Sequence, residues 1–254
     1  MTNLISLQTI VRKETTRFFR IWTQTLLPSV VTMALYFVIF GHFIGSRIEK
    51  INGFSYIEFI VPGLIMMAVI TNSYSNVVSS FFGAKFQRSI EEILVSPTSA
   101  WIIIFGYCLG GISRGLVVGI LVTIVALFFT KIAVHSFLII IIFFLLTTVV
   151  FSLMGLLNGI FAKKFDDVAI VPTFVLTPLT YLGGVFYSVS LLPGIWKTIS
   201  LFNPIFYMVN GFRYGFLGYS DTPVYLGFFI LLILMFVLFL VNLILIKKGV
   251  GLRH

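Results

Sequence analysis

Long apolar runs separated by short polar segments dominate the chain. A helix that crosses a membrane needs about 20 mainly apolar residues. Six runs have roughly this length, at residues 26–43, 57–81, 101–129, 134–161, 168–189 and 225–246. The fifth run is interrupted by Pro172, Pro178 and the pair Gly183 and Gly184. The pattern predicts an all-α polytopic membrane protein, a single domain over residues 1–254 with six transmembrane helices.

The polar segment between the second and third runs, residues 83–97, has the spacing of an amphipathic helix. One side of this helix would carry Phe86, Ile90, Ile93 and Leu94. The charged residues fall largely elsewhere: Lys85, Arg88, Glu91 and Glu92. Pro97 indicates the helix end, because the residue before a proline is disfavoured in the α conformation. We therefore expect a short helix, displayed between two spans, that binds another protein.

Residues 1–24 predict a second amphipathic helix ahead of the first span. Its apolar side would carry Leu7, Val11, Phe18 and Trp22, and its basic residues are Arg12, Lys13, Arg17 and Arg20. Such a helix lies in the membrane interface and directs its cations towards headgroups; the alternative is a solvated basic tail. Because the charges follow the short apolar stretch rather than precede it, we expect no cleavable signal peptide. The first span would then act as an uncleaved anchor.

The segment before the last run, residues 190–218, is too apolar for a free loop. Pro193-Gly194 and Asn203-Pro204 divide it into pieces that are too short to cross a bilayer. We expect two short external helices that re-enter the membrane, because irregular backbone survives there only when protein covers it. A seventh span is the alternative. Its polar residues count against that: Lys197, Asn203, Asn210 and Arg213.

Composition and charge agree with a membrane protein. The chain has 254 residues, of which 59% are hydrophobic and 10% charged, whereas soluble domains average about 25% charged residues. The net charge of +9 reflects basic residues in loops rather than a nucleic-acid-binding domain, so no nucleic acid partner is expected.

The distribution of Lys and Arg predicts the orientation, because cytoplasmic loops carry the excess of these residues. One side of the membrane would hold Arg12, Lys13, Arg17, Arg20, Lys85, Arg88, Lys163, Lys164, Lys247, Lys248 and Arg253. The other side would hold Arg47, Lys50, Lys131, Lys197 and Arg213. We therefore expect both termini, and the segment 83–97, in the cytoplasm.

The sequence contains none of the common catalytic motifs. There is no HExxH, no GxSxG and no Gly-rich phosphate loop that ends in Gly-Lys-Ser/Thr. We expect a transport subunit that is not itself an enzyme and that hydrolyses no ATP. Cys108 is the only cysteine, so neither an internal disulfide nor a metal cluster is expected.

Polar residues within the spans are the remaining candidates for function. Arg114 lies inside the third run, where a charge is costly. It would contact an anionic headgroup or form a conformational ion pair; the alternatives are snorkelling or pairing with a nearby carboxylate. A substrate pathway would be lined by polar and aromatic residues, and hydrogen bonding between helices is the equal alternative. The candidate pathway residues are Tyr36, Phe40, Asn72, Asn76, Thr173, Thr177 and Tyr181.

Several short segments occur in a recognisable order. They are YIEFIVPG at 56–63, RSIEEILVSP at 88–97, SRGL at 113–116, LGGVFY at 182–187, LLP at 191–193, NP at 203–204 and GFRY at 211–214. With these segments, the chain resembles the permease subunit of bacterial ABC-2-type ABC transporters over nearly its whole length. That family includes exporters of drugs and of polysaccharides.

The resemblance implies an assembly and a role for the segment 83–97. This subunit would form a homodimer with a second permease and bind two copies of a cytoplasmic ATP-binding subunit, which hold the ATP and Mg. Segment 83–97 would be the coupling helix, contacting the ATPase through Phe86, Arg88, Glu91 and Glu92. The interfacial helix would lie beside it.

The resemblance also implies a location and a cargo. The complex would export an amphiphile, a drug or a lipid-like molecule, across the bacterial inner membrane. Export of a polysaccharide or a lipid-linked glycan is the alternative within the family. A passive channel or a membrane scaffold is the alternative of another class.

Overall fold

The computed structural model describes residues 2–48 and 50–251; the prediction for Arg253 lies outside them. The described residues form helices, turns and an isolated β-bridge between Ile51 and Phe54. The first half contains α1 (Thr2–Arg20), α2 (Trp22–Thr25), α3 (Leu27–Tyr36), a π-helix (Phe37–Ile44), a 3₁₀ turn (Gly45–Arg47), α4 (Tyr56–Phe86) and α5 (Ser89–Val95). The predicted all-α class is confirmed.

The second half contains two long helices, a segmented region and a final long helix. These are α6 (Ala100–Leu127), α7 (Phe137–Phe161), α8 (Phe165–Val171), a π-helix (Pro172–Leu176), α9 (Thr177–Tyr181), a 3₁₀ turn (Val189–Leu191), α10 (Gly194–Phe202), α11 (Pro204–Leu217) and α12 (Val224–Lys248).

Five helical stretches in the described residues are long and apolar enough to cross a membrane. They are Trp22–Gly41, Tyr56–Phe86, Ala100–Leu127, Phe137–Phe161 and Val224–Lys248. The predicted span at 168–189 is not among them. That region consists of three consecutive helical elements of 7, 5 and 5 residues, about 25 Å in all. The last of them ends at Tyr181, and the chain turns three residues later, where Gly184 has a φ of +70°. A sixth span therefore stays a prediction.

Helix α4 is the centre of the bundle, because 78% of its most apolar 18-residue segment is buried. It packs against α6, α7 and α11. Gly155 of α7 explains the close approach of the α4 backbone, since a Cβ there would lie 2.6 Å from the carbonyl oxygen of Tyr74. Ser55 begins α4 with a capping box, in which its backbone N–H donates to Glu58 over 2.8 Å.

Helices α4 and α6 are longer than a bilayer requires. The 31 residues of α4 extend about 46 Å, and the 28 residues of α6 about 42 Å, whereas the hydrocarbon core is about 30 Å thick. Helix α1 packs along α6, with Ile10 against Gly106 and Glu14 against Gly110. It thus covers the half of α6 that adjoins α5.

The structure divides the predicted helix at 83–97. Helix α4 continues to Phe86, Arg88 adopts a left-handed conformation (φ 59°), and α5 begins at Ser89. Phe86 and Ile90 therefore do not share one helix face. The break directs the Ile90 side chain into a buried apolar cluster, where Ile90 is only 1% exposed, whereas Phe86 is 61% exposed.

Two separate helices occupy the segment before α12. Asn203 ends α10 and caps α11, where its side chain accepts a hydrogen bond from the backbone N–H of Ile205 over 3.0 Å. Pro204 follows as the first residue of α11, a position that proline favours. The 14 residues of α11 extend about 21 Å, too short for the seventh span considered as the alternative. Whether α10 and α11 re-enter the membrane stays a prediction.

Candidate functional site

An aromatic and charged surface lies where α4 turns into α5. Phe86 packs edge-on against Phe165 of α8, with ring centroids 4.8 Å apart. Phe82 contacts the same ring at 5.0 Å. Three exposed charged residues lie beside this cluster: Arg88, Glu91 and Glu92. We call these five outward residues (Phe86, Arg88, Glu91, Glu92 and Phe165) the corner surface. Phe165 was missed by the sequence analysis, because it lies almost 80 positions further along the chain.

Lys85 fastens the corner surface to α7. The side chain is 3% exposed, and its ammonium group donates to the carbonyl oxygens of Ile160 (2.7 Å) and Ala162 (2.8 Å). A cation at the carboxyl end of a helix is favourable, because carbonyl groups there lack helical partners. The amphipathic pattern predicted Lys85 away from the apolar side of the helix, with Arg88, Glu91 and Glu92; in the structure its side chain is buried.

The four predicted basic residues of α1 have two different environments. Arg12, Lys13 and Arg20 are exposed. Arg17 instead turns inward and donates to the backbone carbonyl and the side-chain oxygen of Asn76, both at 2.9 Å. It also pairs with Glu14 at 3.4 Å. Arg17 therefore joins α1 to α4 rather than reaching only towards headgroups.

Glu14 of α1 is fully buried against α4 and α6, and it was not among the predicted site residues. Its side chain is 0% exposed and accepts a hydrogen bond from the Ser80 hydroxyl. Burial raises the pKa of the carboxyl group above its usual 4.5, and the Arg17 charge opposes this rise. Its signal in the sequence is weak: Glu14 is the sole acidic residue of α1.

Arg114 has amide and carbonyl partners in this structure. It is 8% exposed, and its guanidinium donates to the side-chain oxygen of Asn72 (3.1 and 2.9 Å) and to the carbonyl of Thr25 (3.0 Å). Asn72 in turn donates to the Ser29 hydroxyl over 2.9 Å. Among the described residues, no carboxylate lies within ion-pair distance of Arg114. This network connects α6, α4 and the first span.

The candidate pathway residues separate into buried and outward groups. Asn72 and Asn76 are buried and already bonded to Arg114 and Arg17. Thr173, Thr177 and Tyr181 are exposed and, four residues apart, follow one face of the segment from α8 to α9.

Tyr36 and Phe40 approach the end of that segment. The Tyr36 and Tyr181 hydroxyls are 3.4 Å apart. Phe186 completes an aromatic cluster, with ring centroids 4.8 Å from Phe40 and 5.9 Å from Tyr181. Phe186 was not predicted as a site residue, although it lies within the LGGVFY segment.

Helix α4 has an outward stripe of hydroxyl groups despite its burial. Thr71 and Ser79 are exposed and Ser75 is half-buried, and their spacing of four residues places them on one face. Thr71 and Ser79 donate back to helix carbonyls at 3.0 and 2.6 Å, and the Ser79 hydroxyl also accepts a hydrogen bond from Arg17 of α1 over 3.4 Å.

Arg213 joins three parts of the fold at the opposite end of α4. It is 1% exposed and donates to the carbonyl oxygens of Gly184 (2.6 Å) and Phe59 (3.2 Å). Its guanidinium lies 3.9 Å over the centre of the Phe59 ring. Arg213 thereby fastens the turn after α9, and α11, to the first turns of α4.

Comparison with known proteins assigns the family. The profile described as "ABC-2 type transporter" matches residues 5–217. The chain belongs to this family.

Two relatives of this ABC-2 protein are full-length matches. The inner membrane transport permease YadH of Escherichia coli (strain K12) is 59% identical over 249 residues, which cover 98% of this chain and 97% of YadH. Nodulation protein J of Rhizobium leguminosarum bv. viciae is 24% identical over 237 residues, 91% of this chain and 92% of that protein. The predicted resemblance is confirmed, and the chain is an ABC-2 permease homologous to an inner membrane transport protein. ABC-2 permeases normally work with an ABC ATP-binding subunit.

Proposed function

We propose that this chain is the permease subunit of an ATP-driven exporter that moves an amphiphilic molecule, a drug or a lipid-like compound, outward across the inner membrane. Two copies of the chain form a homodimer and bind two ATP-binding subunits, which hold the ATP and Mg. The corner surface is the observation that carries this proposal. Exposed aromatic rings surrounded by charges are typical of protein interfaces.

The connections of the corner surface support a role in coupling. Helix α4 runs without a break from Tyr56 to Phe86. Lys85 holds the same corner to α7, and Arg17 holds α1 to α4. A displacement applied at the corner surface is therefore transmitted to α4, α7 and α1 together, as a rigid-body movement.

The proposed topology has six spans with both termini in the cytoplasm. The fifth is the helical region from α8 to α9, with Pro172 and Pro178 at the starts of its later elements. At about 25 Å it is shorter than the hydrocarbon core, a mismatch that local thinning of the bilayer accommodates at modest cost. Helices α10 and α11 are the proposed re-entrant helices, which is consistent with the burial of α11.

The pathway in this proposal follows the outward hydroxyl groups. The stripe on α4 and the face formed by Thr173, Thr177 and Tyr181 place polar groups at the surface of the bundle. The hydroxyls of Thr71, Ser79 and Thr177 donate to carbonyls of this chain, and each hydroxyl oxygen can still accept further hydrogen bonds. In lipid such groups must be paired or hydrated. A second copy of the chain facing them would enclose a hydrated route. Asn72 and Asn76 then stabilise the helices that form this route rather than line it.

Transport in inside-out membrane vesicles tests the proposal. The chain is co-expressed with its ATP-binding subunit, and uptake of a fluorescent amphiphile is measured with ATP and with a non-hydrolysable analogue. We expect uptake that requires both ATP and the ATP-binding subunit. Uptake that persists without either would instead establish a passive channel.

Charge reversal tests the corner surface separately. The double variant Glu91→Lys, Glu92→Lys should reduce both co-purification of the ATP-binding subunit and uptake. The matched control is Lys247→Glu, Lys248→Glu, because these residues are exposed at the end of α12 and lie outside the corner surface. Equal co-purification of the two double variants would refute the assignment of this interface.

A further inference from the structure

A lateral groove of about 680 Å³ lies between α6 and α7, on the side of the loop that connects them. Its walls include Leu116 and Ile120 of α6 and Ile141 of α7, and Phe212 of α11 forms part of its floor. The only polar side chain of its lining is Thr123, whose hydroxyl already donates to the carbonyl of Gly119 over 2.7 Å. A polar ligand would therefore find no free hydrogen-bonding group here.

The groove opens towards the surroundings of the bundle. Leu116, Ile120 and Ile141 are 47%, 52% and 39% exposed, and they belong to two helices long and apolar enough to span a membrane. The medium at this surface is thus acyl chain rather than water. A concave apolar site of this volume is within the usual range for bound small molecules, about 300–1,000 Å³.

A basic residue lies in a recess that adjoins the groove. Ile132 and Val134, from the loop between α6 and α7, line the groove, and Lys131 precedes Ile132. Lys131 is exposed and makes neither a hydrogen bond nor an ion pair with the part of the chain that the structure describes. Lys131 and Glu58 both line a small recess that shares Ile132 and Phe216 with the groove. The Glu58 carboxylate is already engaged there, because it accepts a hydrogen bond from the backbone N–H of Ser55. An ammonium group at the rim of an apolar groove complements the phosphate of a membrane lipid.

We propose that the groove is a binding site for a phospholipid, with one acyl chain between α6 and α7 and the lipid phosphate on Lys131. This inference goes beyond the proposed transport function and holds for either orientation in the membrane. The groove has a different character from the outward hydroxyl groups of α4, α8 and α9, so its occupant is resident lipid rather than cargo.

Native mass spectrometry of the full-length chain tests the charge contact. The purified protein is titrated with phosphatidylglycerol and, separately, with diacylglycerol, which lacks the phosphate. A basic residue near a membrane surface contributes about 1 kcal/mol, so Lys131→Gln should weaken phosphatidylglycerol binding about fivefold. Diacylglycerol should bind the unmodified protein as weakly as phosphatidylglycerol binds the variant. Lys50→Gln is the control, because Lys50 is exposed on a different loop; an equal effect of both variants would overturn the proposal.

Filling the groove tests the acyl-chain contact. Thr123→Trp should remove the tightest lipid-binding event, whereas Ile244→Trp, on the exposed side of α12, should retain it. Circular dichroism and a single symmetrical elution peak confirm folding of each variant. Unchanged lipid binding in folded Thr123→Trp protein, or a shift from dimer to monomer without lipid loss, would refute the site. The second result would show that another copy of the chain occupies the groove. If Thr123→Trp does not fold, the Lys131 titration alone decides.

Discussion

Replacing Arg213 should destabilise the end of the protein that is furthest from the corner surface. The guanidinium donates to the carbonyls of Phe59 and Gly184, makes a longer hydrogen bond of 3.5 Å to the carbonyl of Val185, and covers the Phe59 ring. Hydrogen bonds to a charged group contribute about 1.5–3 kcal/mol each, and a desolvated cation–π contact about 2 kcal/mol. Desolvation of the buried charge offsets several kcal/mol of this sum.

The net effect follows from what each substitution leaves behind. Arg213→Met retains much of the apolar packing but leaves the Gly184 carbonyl unpaired, and we expect a loss of about 3 kcal/mol in the free energy of unfolding. For a chain of this size that corresponds to a fall of about 6–12 °C in Tm. Arg213→Lys keeps the charge but lacks the planar fork that reaches two carbonyls, so about half of this loss should remain.

Cys108 provides the assay for this prediction. It is the only cysteine and is 4% exposed, so a thiol-reactive fluorophore labels it only as the fold opens on heating. Lys197→Met is the control, because Lys197 is exposed on α10 and surface substitutions usually change stability by less than about 0.5 kcal/mol. If the Tm of the Arg213→Met protein lies within about 2 °C of the Tm of the unmodified chain, this prediction is wrong.

Three further predictions concern the interior networks and the corner surface. Burial raises the pKa of Glu14 above 4.5, so the contribution of Glu14 to stability falls as the pH rises from 4.5 through the raised pKa. Glu14→Gln should remove this part of the pH dependence of Tm. An unchanged slope of Tm against pH in the variant would contradict the prediction. Asn72→Leu leaves Arg114 buried without its double acceptor, which should cost about 3 kcal/mol in the same fluorophore assay; a Tm equal to that of the unmodified protein would show that another group accepts these bonds. Phe165→Ala removes an edge-to-face contact with Phe86 worth about 0.5–1.5 kcal/mol. If this contact holds Phe86 in its binding position, affinity for the ATP-binding subunit should fall about twofold to tenfold by titration; undiminished affinity would remove Phe165 from the corner surface.

Hydrophobic length was the most informative property of the sequence. Five of the six predicted spans correspond to long apolar helical stretches in the structure, because an apolar run of about 20 residues has few other stable forms. The fifth prediction was less informative, since Pro172, Pro178 and the glycine pair interrupt the run. The same residues divide the helix in the structure.

Burial of individual polar residues was not predictable from local pattern. Glu14 is buried because α1 packs on Gly110, almost a hundred positions away, and no periodicity within α1 carries this information. Spacing does separate Asn72 and Asn76 from Thr71 and Ser75 on α4. It does not tell which of the two faces is turned inward, so Asn72 and Asn76 were proposed for the pathway although they are buried.

The break at Arg88 also lies beyond the sequence pattern. A left-handed conformation is uncommon for residues other than glycine, and arginine gives no indication of it. The continuous amphipathic spacing from Phe86 to Leu94 therefore predicted one helix, whereas burial of Ile90 requires two.

The contrast between the central and the last helix has a consequence for how such a sequence can diverge. The most apolar 18-residue segment of α4 is 78% buried, whereas the corresponding segment of α12 is 17% buried. Selection on α12 therefore acts mainly on average hydropathy, so most of its positions can exchange Leu, Ile, Val and Phe freely. The exceptions are the buried residues Gly227, Leu231, Asn242 and Ile246. On α4 each substitution must also preserve shape. Homologues should accumulate neutral changes much faster in their last span than in their second.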